Sequence, residues 1–113
     1  MRGGVYWARL HEAGDRPVVV ISWNTLATAI RKPIVCQVTT IDRERAFPTT
    51  VRLEAGEAGL VDESFALCHE IASVRAERFR AEIGHLSDDR MAEIEQALGV
   101  ALDLGGALPT VRP

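Results

Sequence analysis

The sequence predicts a mainly β protein: a small, strongly bent antiparallel sheet with one long helix at the C-terminus. Three observations carry this. The run Arg16-Pro17-Val18-Val19-Val20-Ile21-Ser22 holds four consecutive β-branched apolar residues. Such a run cannot line one side of a half-wet strand, so it reads as a strand buried on both faces. Five or six short β-branched or alternating runs recur along the chain, with polar loops between them. Only the stretch after Ser87 shows sustained helical spacing.

Gly4 to Leu10 alternates, Val5 and Trp7 against Tyr6 and Ala8, and reads as a first strand with aromatics on both faces. His11 to Asp15 is a short polar loop with Gly14 at a turn position, which makes the first two strands antiparallel neighbours. Pro17 donates no amide and suits the start of the core strand. Asn24 is a candidate N-cap for a helical turn over Trp23–Ile30, ended by Arg31-Lys32-Pro33. Ile34 to Thr39 is a third strand, Thr40 to Thr49 a polar loop, Thr50 to Leu53 a fourth strand, and Glu54 to Gly59 a loop. Ser64 to Ile71 is a fifth strand. On a regular strand Leu67 and His69 share one face and Cys68 and Glu70 the other. A short turn is expected around Arg75–Arg78, and Arg80 to Gly84 reads as a charged edge strand. Ser87 is the N-cap of the final helix, with Asp88 and Asp89 favouring its dipole. Met91, Ile94, Leu98, Ala101 and Leu102 mark its core stripe, and Gly105-Gly106 with Pro109 its stop.

The chain of 113 residues suits one domain, taken as 1–113, with 105–113 as a fraying tail. It is 47% hydrophobic and 26% charged, as an ordinary globule is, and no apolar run is long enough to span a membrane. The N-terminus enters a strand pattern without a signal-peptide core, so the expected location is the cytoplasm. Cys36 and Cys68 lie far apart in apolar stretches, with no CxxC, and read as buried reduced thiols rather than a disulfide or metal site. The formal net charge of −3 argues against a general nucleic-acid glue. Twelve of the thirteen basic residues are nevertheless arginine, the side chain that grips phosphate through two donors. Arg16 is the most telling: a permanent cation at the mouth of a rigid buried strand, where a phosphate-handling site is expected.

Several segments, in order and spacing, resemble the MazF/PemK family of toxin–antitoxin ribonucleases. MRGGVYWARL is close to the family's RRGDVYWADL opening. RPVVVIS resembles its second strand, and IVCQVTT its third, which ends in a catalytic threonine. IGHLSDDRMAEIEQAL resembles its ending, so the likeness runs over residues 1–104. The resemblance implies an SH3-like barrel with a C-terminal helix, the CcdB/MazF/PemK-type fold, in a homodimer. It implies a cytoplasmic toxin blocked by a cognate antitoxin. It also implies cleavage of single-stranded RNA without metal or other cofactor, through attack of the ribose 2′-OH, leaving a 2′,3′-cyclic phosphate and a 5′-OH.

Carried over residue by residue, Arg16 stands at the family's catalytic arginine and Thr39 at its threonine. His11 stands at the functional histidine of PemK-type members, and Glu12 at the acidic residue beside it. Leu67-Cys68-His69 replaces an Arg-Cys-Asp, and His69-Glu70-Ile71-Ala72-Ser73 replaces a D/E-Q-I-R-T. In-line cleavage requires a proton acceptor, a proton donor and a stabiliser of developing charge. The Arg16 guanidinium fits the last role, the Thr39 hydroxyl can donate to a phosphate oxygen, and a histidine is the natural proton handler near neutrality. The expected catalytic residues are therefore Arg16, Thr39 and His11, with Glu12, Thr40, Arg43, Arg45 and His69 as RNA contacts. Plainer readings stand beside these: an Arg16 ion pair with Asp15 or Glu12, Thr39 as a strand former, a solvated His11, a partly buried His69, and a self-paired Asp42–Arg45 loop. Competing functions are a CcdB-like gyrase inhibitor, against which the ending Thr110-Val111-Arg112-Pro113 argues, and an inactive binding member of the family.

Overall fold

The computed structural model describes residues 1–11, 14–41 and 47–105; for His11 the description covers the backbone only. The elements are β1 (Gly4–His11), β2 (Gly14–Val20), α1 (Asn24–Ala29), β3 (Ile34–Thr39), β4 (Thr50–Leu53), β5 (Ser64–Ser73), β6 (Phe79–His85) and α2 (Asp88–Ala101). Short 3-10 turns lie at Glu57–Gly59 and Ala76–Arg78. All six strands form one antiparallel sheet in the order β4-β5-β3-β2-β1-β6. The expected class, mainly β with a C-terminal helix, is the one observed.

The valine run on β2 does what its composition requires. Val19 joins one core with Val5, Cys36 and the α2 residues Met91, Ile94 and Ala97. Val18 and Val20 join a second, smaller core with Ala8, Val35 and Val74. All three valines are buried, so β2 is the interior strand with apolar contacts on both faces. Its neighbours are β1, with Val5 opposite Val19, and β3, with Cys36 opposite Val19.

Ser87 caps α2 by accepting a hydrogen bond from the Arg90 amide at 3.1 Å. Two expectations for this helix are corrected. Leu102 is 51% exposed, and the stripe includes Ala97 and the buried Gly99 instead. The helix ends at Ala101 and the chain turns at Asp103 (φ 55°), before the glycine pair. Asn24 is corrected too: it is the first residue of α1, and its Oδ1 accepts the Arg2 amide at 2.7 Å rather than capping the helix.

At the α2 end the Glu57–Gly59 turn packs on β6 backbone to backbone. A Cβ built on Gly84 would sit 2.2 Å from the Ala58 carbonyl oxygen, so this approach admits only glycine. The turn is also tied to α2: Arg90 donates to both carboxylate oxygens of Glu57, at 2.7 and 2.9 Å. Burial pushes the Glu57 carboxyl up. The Arg90 hydrogen bonds, the Glu54 amide and the Arg90 charge outweigh that and hold it below the ordinary glutamate value.

β5 departs from regular alternation. Gln37 of β3 lies opposite Leu67, whereas the preceding Cys36 lies opposite Ile71. Residues 68–70 are therefore extra residues on the β5 side, a bulge of three residues rather than the usual one. Both cysteines are free and buried. A hydrogen bond with Cys68, together with burial, holds the Cys36 thiol well above the usual range, whereas the same bond lowers that of Cys68; both side chains belong to the core, as expected of buried free thiols. Among the described residues no helix is long and apolar enough to cross a membrane.

Candidate active site

The open ends of β2 and β3 lie on one side of the sheet, and a cleft of about 550 Å³ opens there. Arg16 and Pro17 of β2 form one wall. Thr39, with Thr40 and Ile41 just beyond β3, forms another. Two of the expected catalytic residues, Arg16 and Thr39, and the expected RNA contact Thr40 thus line a single cavity. They come together because β2 and β3 are adjacent and antiparallel, with Val18 opposite Gln37. That register sets the residues before Val18 beside those after Gln37.

Arg16 and Thr39 are suited to an anion, and two carboxylates, Asp15 and Glu70, line the same cleft. Arg16 is exposed and makes no ion pair among the described residues. Its sequence neighbour Asp15, the expected surface partner, faces Arg9 at 3.9 Å and Arg80 at 3.7 Å instead. The guanidinium therefore keeps its planar fork for a ligand. Thr39 Oγ1 accepts the Ile41 amide at 3.1 Å. This local bond fixes the hydroxyl oxygen and occupies a lone pair, leaving the O–H as a donor. Trp7 of β1, 43% exposed, also lines the cleft and presents a stacking surface for a base.

Glu70 was not foreseen as a site residue. Strict alternation puts it on the face of Cys68, yet Cys68 lies in the core while Glu70 lines the cleft beside Leu67. The β5 bulge breaks the alternation and turns this carboxylate into the site. The same bulge separates His69 from Leu67. His69 Nδ1 meets Thr49 Oγ1 at 2.7 Å, and its ring lies edge-on to Phe47. His69 is not among the residues lining the cleft, so the shared Leu67–His69 face is corrected. Cys68 is buried against Cys36, whereas His69 is exposed and meets Thr49. Gln37, also not foreseen, lines the cleft floor.

The His11 side chain, Glu12, Arg43 and Arg45 lie outside the described residues. His85 has a structural role, its ring nitrogens meeting the Leu86 and Arg2 carbonyl oxygens at 2.9 and 3.1 Å.

Residues 1–102 match the family model described as PemK-like, MazF-like toxin of type II toxin–antitoxin system. The chain is 35% identical over 102 residues to the probable endoribonuclease MazF5 of Mycobacterium tuberculosis, covering 90% of this chain and 92% of that protein. In fold it resembles an endoribonuclease in complex with its cognate antitoxin from a mycobacterial species, with a TM-score of 0.81 and 23% identity over 93% of this chain and 96% of that one. It also resembles the M. tuberculosis toxin MazF-mt6, with a TM-score of 0.80 and 22% identity over 90% and 98% of the two chains.

Proposed function

The chain belongs to the PemK-like, MazF-like toxin family of type II toxin–antitoxin systems, and from that premise we propose that it is a metal-independent endoribonuclease acting on single-stranded RNA. The observation that carries the reading is the cleft itself: an uncommitted guanidinium and an oriented hydroxyl line one cavity, from two adjacent strands.

In the proposed reaction the substrate supplies its own nucleophile. The ribose 2′-OH loses its proton and attacks the adjacent phosphorus. The P–O5′ bond breaks, leaving a 2′,3′-cyclic phosphate and a 5′-OH that takes up a proton. Arg16 donates to the non-bridging oxygens and stabilises the charge that grows on them, and Thr39 donates a second hydrogen bond. Thr40 and Trp7 hold the flanking nucleotide. His11, at the end of β1, is the proposed proton acceptor, and Glu70 is a second candidate because it faces the cleft. A His11→Ala variant should flatten the pH–rate profile near neutrality. If Glu70→Gln does so and His11→Ala does not, the carboxylate is the acceptor.

The protein acts in the cytoplasm as a homodimer and is held inactive by a cognate antitoxin. The test is incubation with a long single-stranded RNA in EDTA. Cleavage to fragments with 5′-OH ends supports the reading. Intact RNA from folded protein, or gyrase poisoning without cleavage, overturns it.

A further inference from the structure

Beside the cleft lies a second, smaller hollow of about 290 Å³, walled by Arg9, Lys32, Arg75 and Arg78. Gln37 lines both cavities, so the hollow lies next to the cleft. We propose that this basic groove is a second anion site, which grips backbone phosphates of single-stranded RNA beyond the phosphate held at Arg16. The inference rests on the endoribonuclease reading for its ligand and extends it to a surface the catalytic residues do not touch.

The four cations come from separate parts of the chain: the end of β1, the α1–β3 connection and the β5–β6 connection. Backbone bonds bring these segments together. The Val74 amide donates to the Pro33 carbonyl at 2.9 Å, and the Ala76 amide to the Arg31 carbonyl at 2.9 Å. Arg78 Nη1 reaches the Arg9 carbonyl at 3.4 Å. The groove is thus built from fixed backbone, not from mobile side chains that happen to meet.

Gathering like charges costs free energy unless something neutralises them. Among the described residues no carboxylate lines the groove. Arg9 has a long contact to Asp15, but Lys32, Arg75 and Arg78 make no ion pair among the described residues. Glu77, between the two arginines in sequence, does not line the groove. By contrast, Arg2, Arg52 and Arg90 elsewhere each meet a carboxylate.

Phosphate is favoured over an acidic peptide for two reasons. The groove shares Gln37 with the cavity proposed to hold a phosphodiester, and three of its four cations are arginines, whose forks match phosphate oxygens. Among the described residues its lining beyond the cations is Leu10, Gln37, Ala72, Ser73 and Val74, with no ring for a base to stack on. The grip is therefore on the backbone and independent of sequence.

The test uses fluorescein-labelled 2′-O-methyl oligouridylates of 20 and 5 nucleotides. Their blocked 2′-oxygen cannot attack, so binding is read without cleavage. The wild-type protein should bind the 20-mer about tenfold or more tightly than the 5-mer. In the K32Q/R75Q/R78Q variant that ratio should fall to about threefold. The slope of log affinity against log salt should shrink by about 2, at roughly 0.7 per lost phosphate contact. The charge-keeping R75K/R78K variant should retain most of the slope. Equal 20-mer affinity and slope in the triple variant, with an unchanged melting curve, overturns the groove. So does a variant that loses only binding to an acidic peptide. Failure of wild-type protein to cleave RNA overturns the endoribonuclease reading and leaves this binding result to stand or fall separately.

Discussion

Two ends of the molecule treat charge in opposite ways. Around α2, cations are spent on structure: Arg90 grips Glu57 and meets Glu93, Arg2 meets Glu95, and Arg52 meets Glu63 and Glu54. On the side of the cleft and the groove, Arg9 has one long contact to Asp15, while Arg16, Lys32, Arg75 and Arg78 meet no carboxylate among the described residues, although Asp15 adjoins Arg16 in the chain. A protein with more acidic than basic residues has ample carboxylates to neutralise these groups. The fold instead turns Asp15 toward Arg9 and Arg80. The contrast separates cations that hold the fold from cations presented to a ligand, and substitutions at the two ends should therefore fail differently.

The largest expected effect is at the open end. Arg16→Ala should lower kcat/KM for RNA cleavage about 10²- to 10³-fold, the scale of a lost charge-stabilising donor, with a superimposable melting curve. Thr39→Val should lower it about 10- to 100-fold, as expected for one hydrogen bond to a charged group, and Thr39→Ser should restore most of that. The α2 end should show the reverse pattern. Gly84→Ala drives a Cβ toward the Ala58 carbonyl and should cost about 3 kcal/mol of stability, read by denaturant unfolding. Arg90→Ala leaves the half-buried Glu57 without its partner and should cost about 1–3 kcal/mol, with kcat/KM retained below the unfolding transition.

The smallest effect is in pH. Glu57 has a lower pKa folded than unfolded, so its pairing stabilises the fold fully above the unfolded value. That contribution fades as pH falls through the folded value. The acid limb of stability against pH should therefore be shallower in Arg90→Ala than in wild type.

Much of this was legible in the chain. The Val18–Ile21 run required a strand covered on both sides, and Pro17 placed Arg16 at its open end. The family resemblance put Arg16 and Thr39 in one site, and the antiparallel pairing of β2 with β3 is what brings them together. Three features were not legible, each for a reason of tertiary structure. Glu70 enters the cleft because β5 carries a bulge, and a period-two pattern has no mark for extra residues. Asn24 has a capping residue's chemistry, but the Arg2 amide competes for its oxygen across the fold. Lys32, Arg75 and Arg78 sit in turns that read as solvated, and only the stitching of Val74 and Ala76 to the α1–β3 connection gathers them into a groove.

The central claim is that Arg16 and Thr39 act on one and the same phosphate. The most direct measurement is a double-mutant cycle in kcat/KM for RNA cleavage with Arg16→Ala, Thr39→Val and the double variant. Two groups on one phosphate should be coupled, so that the double variant is at least about fivefold more active than the product of the single losses requires. A double variant whose loss equals that product, in folded protein, would contradict the account.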